Sequence, residues 1–525
     1  MTARREHPVS VNQLVGRTTS LSQMYDAAAD AVVVGAGIGG LTAAARLAAS
    51  GKRVVVLERY RAPGGLVRSW LHPARHEGRL LQFRFDTGGH RISGVRTDGP
   101  VSGLLDLLGI SSEIEWLRMD QRVILDGQKF DVPPDAESYA RLIESLFPGS
   151  GRGAVALLQD VRSIFEAMYS EAPAHHGIPR GPKGAEKILT YANRFPTAWR
   201  WMKRPFVELL REHIEDARVV QFILGLGGYK SADASSVSVL EMVSLFGYLF
   251  FGGYYPRGGV GKLGEVLTKF IRSAGGEVRF LHPTSKIIIR DGRVYGVQLR
   301  SGDVIRAPIV ISNADLIRTY QDLVGPEHLP ESFWARVSAL RPACSAFVVH
   351  LGLSKVLDGR PLVSVPTSTE RGVNILMPSL IDPAAAPEGY STMEIIQLVP
   401  NEETARWFAR CPDLSLSAWR RDQAYLRMKK AKGDQLIKLA ASVFPNLEDA
   451  IVTRTNSSPV TFHRYVSATE GAIYGIDGRG FRTPESPIPG LLLASAGSYA
   501  AGVEGAVIAG SLAAELVPIQ RVAAA

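Results

Sequence analysis

The chain has 525 residues, 46% of them hydrophobic, with 52 glycines and 31 prolines, enough for two or three globular domains with a sizeable core. Sixty Lys and Arg against 51 Asp and Glu leave a net charge of +9, but the basic residues are scattered rather than clustered, which argues against nucleic acid as a partner. Cys344 and Cys411 stand far apart in no CxxC spacing, which argues against a disulfide framework or a thiolate metal site and fits the reducing cytoplasm.

Residues 1–29 contain basic side chains but no apolar core of the length a secretory signal needs, and they read as an N-terminal extension. At Asp30 the pattern changes. Asp30–Val34 is a short β-branched run of the kind found in a buried parallel strand, followed at once by "GAGIGG", then by the Ala-rich "LTAAARLAAS" with helical spacing. A second strand, "RVVVLE", ends at Glu58. Each residue type has a mechanical reason. Gly35 permits the tight turn, Gly37 lets backbone approach a pyrophosphate, and Gly40 allows helix and strand to pack closely, with the helix N-terminus facing the phosphates. Glu58 can accept from ribose hydroxyls and disfavours a 2′-phosphorylated nucleotide.

Further on, "ERYRAPGGLVRSW" brings Gly64 and Gly65, and "FRFDTGGHRISG" brings Gly88 and Gly89. Tyr254–Phe280 predicts a Gly-rich loop, an amphipathic helix and a strand. "RDGR" and "RSGD" then punctuate a β-meander, and "APIVISNAD" (Ala307–Asp315) returns as a buried strand. The C-terminal "PGLLLASAGSYAAGVEGAVIAGSLAAELV" predicts a strand over Leu491–Ala494, a turn, and a helix from about Gly502. The longest apolar stretch, Val237–Tyr255, carries Glu241 and three glycines, and reads as a buried helix rather than a membrane span. The pair His175–His176 reads as a solvated surface feature.

This succession resembles the FAD-binding half of the flavoprotein superfamily that includes amine oxidases and phytoene desaturases. "YYPRGGVGKLGEVL", "VISNAD", "LIDPAAAPEGYSTMEIIQLVP" and "SPVTFHRYVSATEGAIYGI" resemble the branch of phytoene desaturases, carotenoid isomerases and retinol saturases. Two stretches depart from that branch. "SYAAGVEGA" has Glu504 where the branch usually has a proline and is more like amine oxidases, and His90–Arg91 in "FDTGGHR" is similar to protoporphyrinogen-oxidase relatives.

The resemblance implies an α/β fold: a Rossmann-like FAD-binding domain of parallel sheet plus β-meander, interleaved with an α+β substrate-binding domain. It assigns residues 30–94, 254–315 and 460–525 to the first, and residues 95–253 and 316–459 to the second, with a membrane-facing helical part. It implies cofactor contacts from Gly35, Gly37, Ile38, Gly39 and Gly40, and then from Glu58, Arg59, Gly64, Gly65 and Leu66. Gly88, Gly89 and His90 would follow, with backbone near Ser285 and Lys286 at the adenine end. Ala496, Gly497, Gly502, Val503 and Glu504 would complete the site, the helix dipole there favouring the reduced flavin anion. With no cysteine in the C-terminal block the FAD is expected to be non-covalent, and no metal is expected. Arg91 is expected either to balance charge on reduced flavin or to pair with a carboxylate.

The implied activity is desaturation of a carotenoid-like or other lipophilic substrate by hydride transfer to flavin N5. Saturation or isomerisation of a polyene, and an amine-oxidase-like reaction, are the alternatives. A prenyl-binding protein on the same fold, like the Rab GDP-dissociation inhibitors, is disfavoured by the intact Gly35, Gly37, Gly40 and Glu58. Trp199, Trp201 and the surrounding Arg and Lys in residues 191–206 suggest a peripheral membrane contact for an otherwise cytoplasmic protein; the plainer reading is a core-facing helix with a basic outer face.

Overall fold

The computed structural model describes residues 29–125, 127–226, 237–366, 372–410, 421–478 and 481–518. Residues 1–28 of the expected extension, and Cys411, lie outside the described residues.

The strand β1 (Ala31–Val34) is buried at every position, as its unbroken Val run requires. The glycine turn leads into α1 (Ile38–Ala49), which Gly51 follows with φ +79°, and then into β2 (Val54–Leu57). An antiparallel hairpin follows, β3 (Ser69–His76) and β4 (Arg79–Asp86). Next come β5 (Gln121–Leu125) and β6 (Gln128–Asp131).

A helical layer then runs through α2 (Ala136–Leu146), α3 (Gly151–Met168), α4 (Ala185–Arg194), α5 (Pro196–Trp201), α6 (Phe206–His213), α7 (Ala217–Leu226) and α8 (Val239–Phe251) around its own apolar core. The Val237–Tyr255 stretch thus supplies α8, opened by a capping box between Ser238 and Glu241 and stopped at Gly252. Among the described residues no helix is long and apolar enough to cross a membrane.

The chain returns through α9 (Lys262–Ser273) and β7 (Glu277–Arg279) to the three-stranded meander β8 (Thr284–Arg290), β9 (Arg293–Leu299) and β10 (Val304–Arg306), then to β11 (Val310–Ser312). After it come β12 (Ser345–Leu353), β13 (Leu362–Val365), β14 (Val373–Leu376), β15 (Ser391–Val399), α10 (Gln423–Ala441) and β16 (Ile451–Ser457). The closing pair is β17 (Leu491–Leu493) and α11 (Gly502–Glu515).

Two sheets organise these elements. The first is five-stranded and wholly parallel, in the order β17-β11-β1-β2-β7. Its strands come from three separate parts of the chain. The second is seven-stranded and mixed, in the order β16-β12-β15-β14-β13-β5-β6. In it β12 and β15 pair antiparallel, with Ala346 opposite Leu398, Val348 opposite Ile396 and His350 opposite Glu394. Because side chains alternate across a strand, these six residues share one face.

Residues 191–206 differ from the membrane-facing expectation at Trp201. Two positions along a helix point to nearly opposite sides, so Trp199 is 46% exposed while Trp201 is 2% exposed and sits in the helical core beneath Arg200 and Arg204. Phe206 is buried as well. His176 is exposed and His175 half-buried.

Candidate active site

The glycine turn is closed by contacts that leave no room for side chains. Gly35 has φ +99°, in the left-handed region. A Cβ on Gly39 would lie 2.0 Å from the Ala494 carbonyl oxygen, and one on Gly40 2.2 Å from the Gly35 oxygen. On the other side of α1, a Cβ on Gly510 of α11 would lie 2.2 Å from the Gly39 oxygen. Helix α1 is therefore clamped between β17 and α11. No side chain caps its N-terminus, so its first N–H groups remain available to an anion.

Asn313, just past β11, is the wedge of this arrangement. Its Nδ2 donates to the Ala494 oxygen at 2.7 Å, and its Oδ1 would be 2.4 Å from a Cβ on Gly37. Glu58 does more than the sequence suggests. Its Oε2 accepts the Ala36 N–H at 2.8 Å and its Oε1 accepts the Tyr60 N–H at 2.7 Å, so the carboxylate ties the glycine turn to the end of β2. Gly64, at φ +102°, donates its N–H to the Ala36 oxygen at 2.7 Å and bridges to Gly37, which brings the second glycine pair against the first.

These elements open into a cavity of about 1250 Å³. That exceeds the several hundred Å³ usual for one drug-sized ligand, and leaves room for a dinucleotide and a second molecule. Of the residues expected at the cofactor, Gly35, Gly37, Ile38, Gly39, Glu58 and Arg59 line it. So do Gly64, Gly65, Leu66, Gly88, Gly89 and His90, and from the C-terminal block Ala496, Gly497, Gly502, Val503 and Glu504. Gly40 is not in the wall; it packs α1 onto the turn. Ser285 and Lys286 are exposed and also lie outside the wall, where Pro283 and Thr284 take their place. The register of β8 shifts between Thr284 and Lys286, and Ser285 turns its hydroxyl to the Gln298 oxygen.

The rest of the wall is predominantly apolar, although α8 also turns Glu241, Ser244 and Tyr248 to the cavity. Helix α8 contributes Leu240, Leu245, Phe246 and Leu249, and the mixed sheet contributes its Ala346–Leu398 and Val348–Ile396 pairs. Helix α11 directs its uncapped N-terminus here. Glu504, in its first turn, accepts from the Tyr169 hydroxyl at 2.7 Å and pairs with Arg96 at 3.3 Å. The Arg96 guanidinium lies over the rings of Phe165, Tyr169 and Phe251 at 5.1, 4.4 and 5.0 Å. Burial and the Glu504 charge hold the Tyr169 phenol well above its ordinary range. Arg91 also lines the cavity, where it donates to Gln121 Oε1 at 2.7 Å and lies over the Tyr248 ring.

Behind His90 lies a buried titratable cluster that the sequence motifs do not single out. Asp86, His90, His350 and Glu394 are 1%, 7%, 2% and 0% exposed. Asp86 Oδ1 accepts from Ser69 Oγ at 2.5 Å and from the Val260 N–H at 3.3 Å, and Oδ2 accepts from the Tyr255 hydroxyl at 2.7 Å. The Asp86 N–H donates to Glu394 Oε1 at 2.8 Å, and His350 Nε2 lies 3.2 Å from the Asp86 oxygen. Glu394 Oε2 lies 3.1 Å from His90 Nδ1. Burial pushes the His90 imidazole down to about 4 and His350 to about 3, so both are neutral. Burial and the nearby Asp86 hold the Glu394 carboxyl well above its usual range.

The match to known proteins agrees with this architecture. Residues 38–518 match the family of flavin containing amine oxidoreductases. The chain is 23% identical over 484 residues to an all-trans-retinol 13,14-reductase from Danio rerio, covering 85% of this chain and 77% of that one. It is 25% identical over 535 residues to a neurosporene-forming phytoene desaturase from Rhodobacter capsulatus, covering 93% and 94%. A solved oxidoreductase from Methanosarcina mazei, 19% identical, superposes with a TM-score of 0.60 over 91% of this chain and 98% of that chain, which shows a shared fold. The chain belongs to the flavin containing amine oxidoreductase family, and its cofactor is a flavin.

Proposed function

From that membership we propose that the chain is an FAD-dependent oxidoreductase that desaturates a carotenoid-like or other lipophilic substrate. The observation that carries this reading is the division of one cavity into a backbone-built end and a predominantly apolar end. The residues present fit FAD. Gly35–Gly39 and the α1 N-terminus would hold the pyrophosphate, Glu58 the ribose, and Gly64–Leu66 and Gly88–His90 would let the chain run close along the cofactor. Bound there, the flavin supplies a hydride acceptor at N5. The chain's own part is to seat an uncharged carbon chain between α8 and the mixed sheet and to keep water from it.

Non-covalent attachment is the reading the residues favour. Cys344 lies outside the cavity wall, and burial pushes its thiol up to about 12, which leaves it a poor nucleophile. We assign residues 30–94, 254–315 and 460–525 to the FAD-binding domain, and residues 95–253 and 316–459 to the substrate-binding domain.

For a lipophilic substrate we propose entry from a membrane surface at α4 and α5. Ile188, Leu189 and Trp199 are 38, 64 and 46% exposed there beside Lys187, Arg194 and Arg200, while Tyr191 and Met202 reach the cavity wall. Replacing Leu189 and Trp199 by Ser is expected to abolish flotation with anionic liposomes; unchanged flotation would remove this contact from the account.

An amine-oxidase-like reaction is favoured by one observation, that Tyr474 and Tyr499 line the cavity beside Gly475 and Gly497. The anaerobic visible spectrum separates these readings. Loss of flavin absorbance on adding phytoene in liposomes, with none from a panel of amines, supports desaturation. Bleaching by an amine alone assigns the second reading, and no bleaching by either points to saturation or isomerisation.

A further inference from the structure

We propose that His90, in the cavity wall, and Glu394, buried behind it, form a one-proton relay, Glu394 storing the proton and His90 passing it to and from the bound substrate. The geometry is specific. Glu394 Oε2 and His90 Nδ1 are both buried, face each other at 3.1 Å, and are among the described residues without a hydrogen-bond partner, so a small turn of either side chain would join them. His90 itself lines the cavity, and among the described residues its Nε2 has no protein partner.

Asp86, His90 and Glu394 also come close enough together to suggest a cation, but their oxygens are already engaged. Both Asp86 oxygens accept hydrogen bonds, from Ser69, Val260 and Tyr255, and Glu394 Oε1 accepts the Asp86 N–H. Oε2 and Nδ1 are the two atoms of the group that no donor or acceptor engages. The space between them suits a proton.

The surrounding groups decide where that proton rests. Three donors stabilise Asp86 as the carboxylate, whereas Glu394 receives one. The other titratable and charged neighbours are Tyr255, a neutral donor to Asp86; Arg84, paired with Asp382; and His350, opposite Glu394 on β12 with Lys429 beyond it. None of them places a cation against Glu394 Oε2. The stored proton therefore sits on Glu394, with its O–H toward Nδ1 and the His90 N–H on Nε2, toward the cavity.

Proton balance defines two states. Loaded, the pair is neutral; Nε2 gives its proton to the substrate while Nδ1 takes the proton of Glu394, leaving a carboxylate that accepts Nδ1–H. Unloaded, Nε2 presents a lone pair and accepts a proton while Nδ1 returns one to Glu394. On the reading of the proposed function, removal of hydrogen across a C–C bond sends one hydrogen away as hydride. The electron pair of the neighbouring C–H bond becomes the π bond, and its hydrogen leaves as a proton, which the unloaded pair takes. The reverse addition uses the loaded pair.

The test is infrared and ¹⁵N-histidine spectroscopy of the purified protein at neutral pH. We expect one protonated-carboxyl C=O band, shifted in D₂O, lost in Glu394→Gln and kept in Asp86→Asn. We also expect a neutral His90 resonance with the proton on Nε2, identified by its loss in His90→Gln. A band that survives Glu394→Gln, a His90 imidazolium, or stoichiometric Zn²⁺ or Mn²⁺ binding that erases the band would overturn the relay. If Glu394→Gln does not fold, the His90 tautomer in the unaltered protein decides. Neither readout uses the flavin: a protein that binds no FAD but keeps the band sinks the proposed function alone, and a yellow protein without it sinks the relay alone.

Discussion

At the end of the cavity bounded by Gly35, Gly39 and Gly64, recognition rests on backbone atoms drawn together by missing side chains. Behind the wall at His90, the cluster with Glu394 and His350 rests on side chains that converge from β4, β12 and β15 and their flanking loops. The first end starts from one stretch, Gly35 to Gly65, that Asn313, Ala494 and Gly510 close from outside. The second is a contact between residues hundreds of positions apart, as in the Asp86 to Glu394 hydrogen bond. A site made of backbone tolerates no added atom, whereas a site made of side chains is sensitive to where protons lie.

The largest expected effect breaks the backbone end. Gly39→Val would drive its side chain into the Ala494 carbonyl, which belongs to the main chain and cannot step aside. Such overpacking costs about 1–3 kcal/mol, with the upper end expected against main chain, and the expected result on gel filtration is protein that carries no flavin. Flavin retained at wild-type stoichiometry would contradict the close packing of α1 against β17.

The next effect concerns the joint between the two ends. Glu504→Ala leaves Arg96 among three rings without its carboxylate, and removing one partner of a buried pair costs about 3–5 kcal/mol. Urea unfolding measures it, and Glu504→Gln, which still accepts from Tyr169, is expected to lose less. Equal losses in the two variants would mean that the ion pair adds nothing to the Tyr169 hydrogen bond.

Acid tests the side-chain end. His90 and His350 are neutral in the fold, with values depressed to about 4 and about 3. Below the ordinary histidine value the unfolded chain binds protons that the folded chain does not, so stability falls as pH drops toward those values. From pH 6.5 to 5 the loss is about 1.6 kcal/mol per histidine, offset in part by Glu394, whose raised value acts with the opposite sign. The urea midpoint should fall over that range, and fall less in His350→Gln; a midpoint independent of pH would show that these imidazoles are not buried neutral. The smallest effect is none at all. Lys286→Ala is expected to leave FAD affinity unchanged within about twofold, because Lys286 lies outside the wall; a tenfold loss would restore it to the site.

Much of the backbone end is legible in the sequence because strand, glycine turn, helix and acidic residue follow one another without interruption. The parallel sheet, the meander and the α11 N-terminus were readable for the same reason. Asn313 is not singled out by the sequence, since an Asn ending a strand gives no sign of the four glycines it packs against. Glu394 and His350 carried a signal, each a lone ionisable residue in an otherwise apolar run, "STMEIIQLV" and "AFVVHLGL". Their pairing follows only from the β12–β15 register. At Trp199 and Trp201 composition alone leaves a membrane contact and a core-facing helix both open, and helical geometry divides the two rings between surface and core.

The central claim, a backbone-built site for non-covalent flavin, meets its most direct test in the visible spectrum of the purified protein before and after heat denaturation and centrifugation. The account predicts a yellow protein whose colour passes wholly into the supernatant as FAD, leaving a colourless pellet. A protein that is colourless and takes up no added FAD, or colour that stays with the pellet, would contradict it.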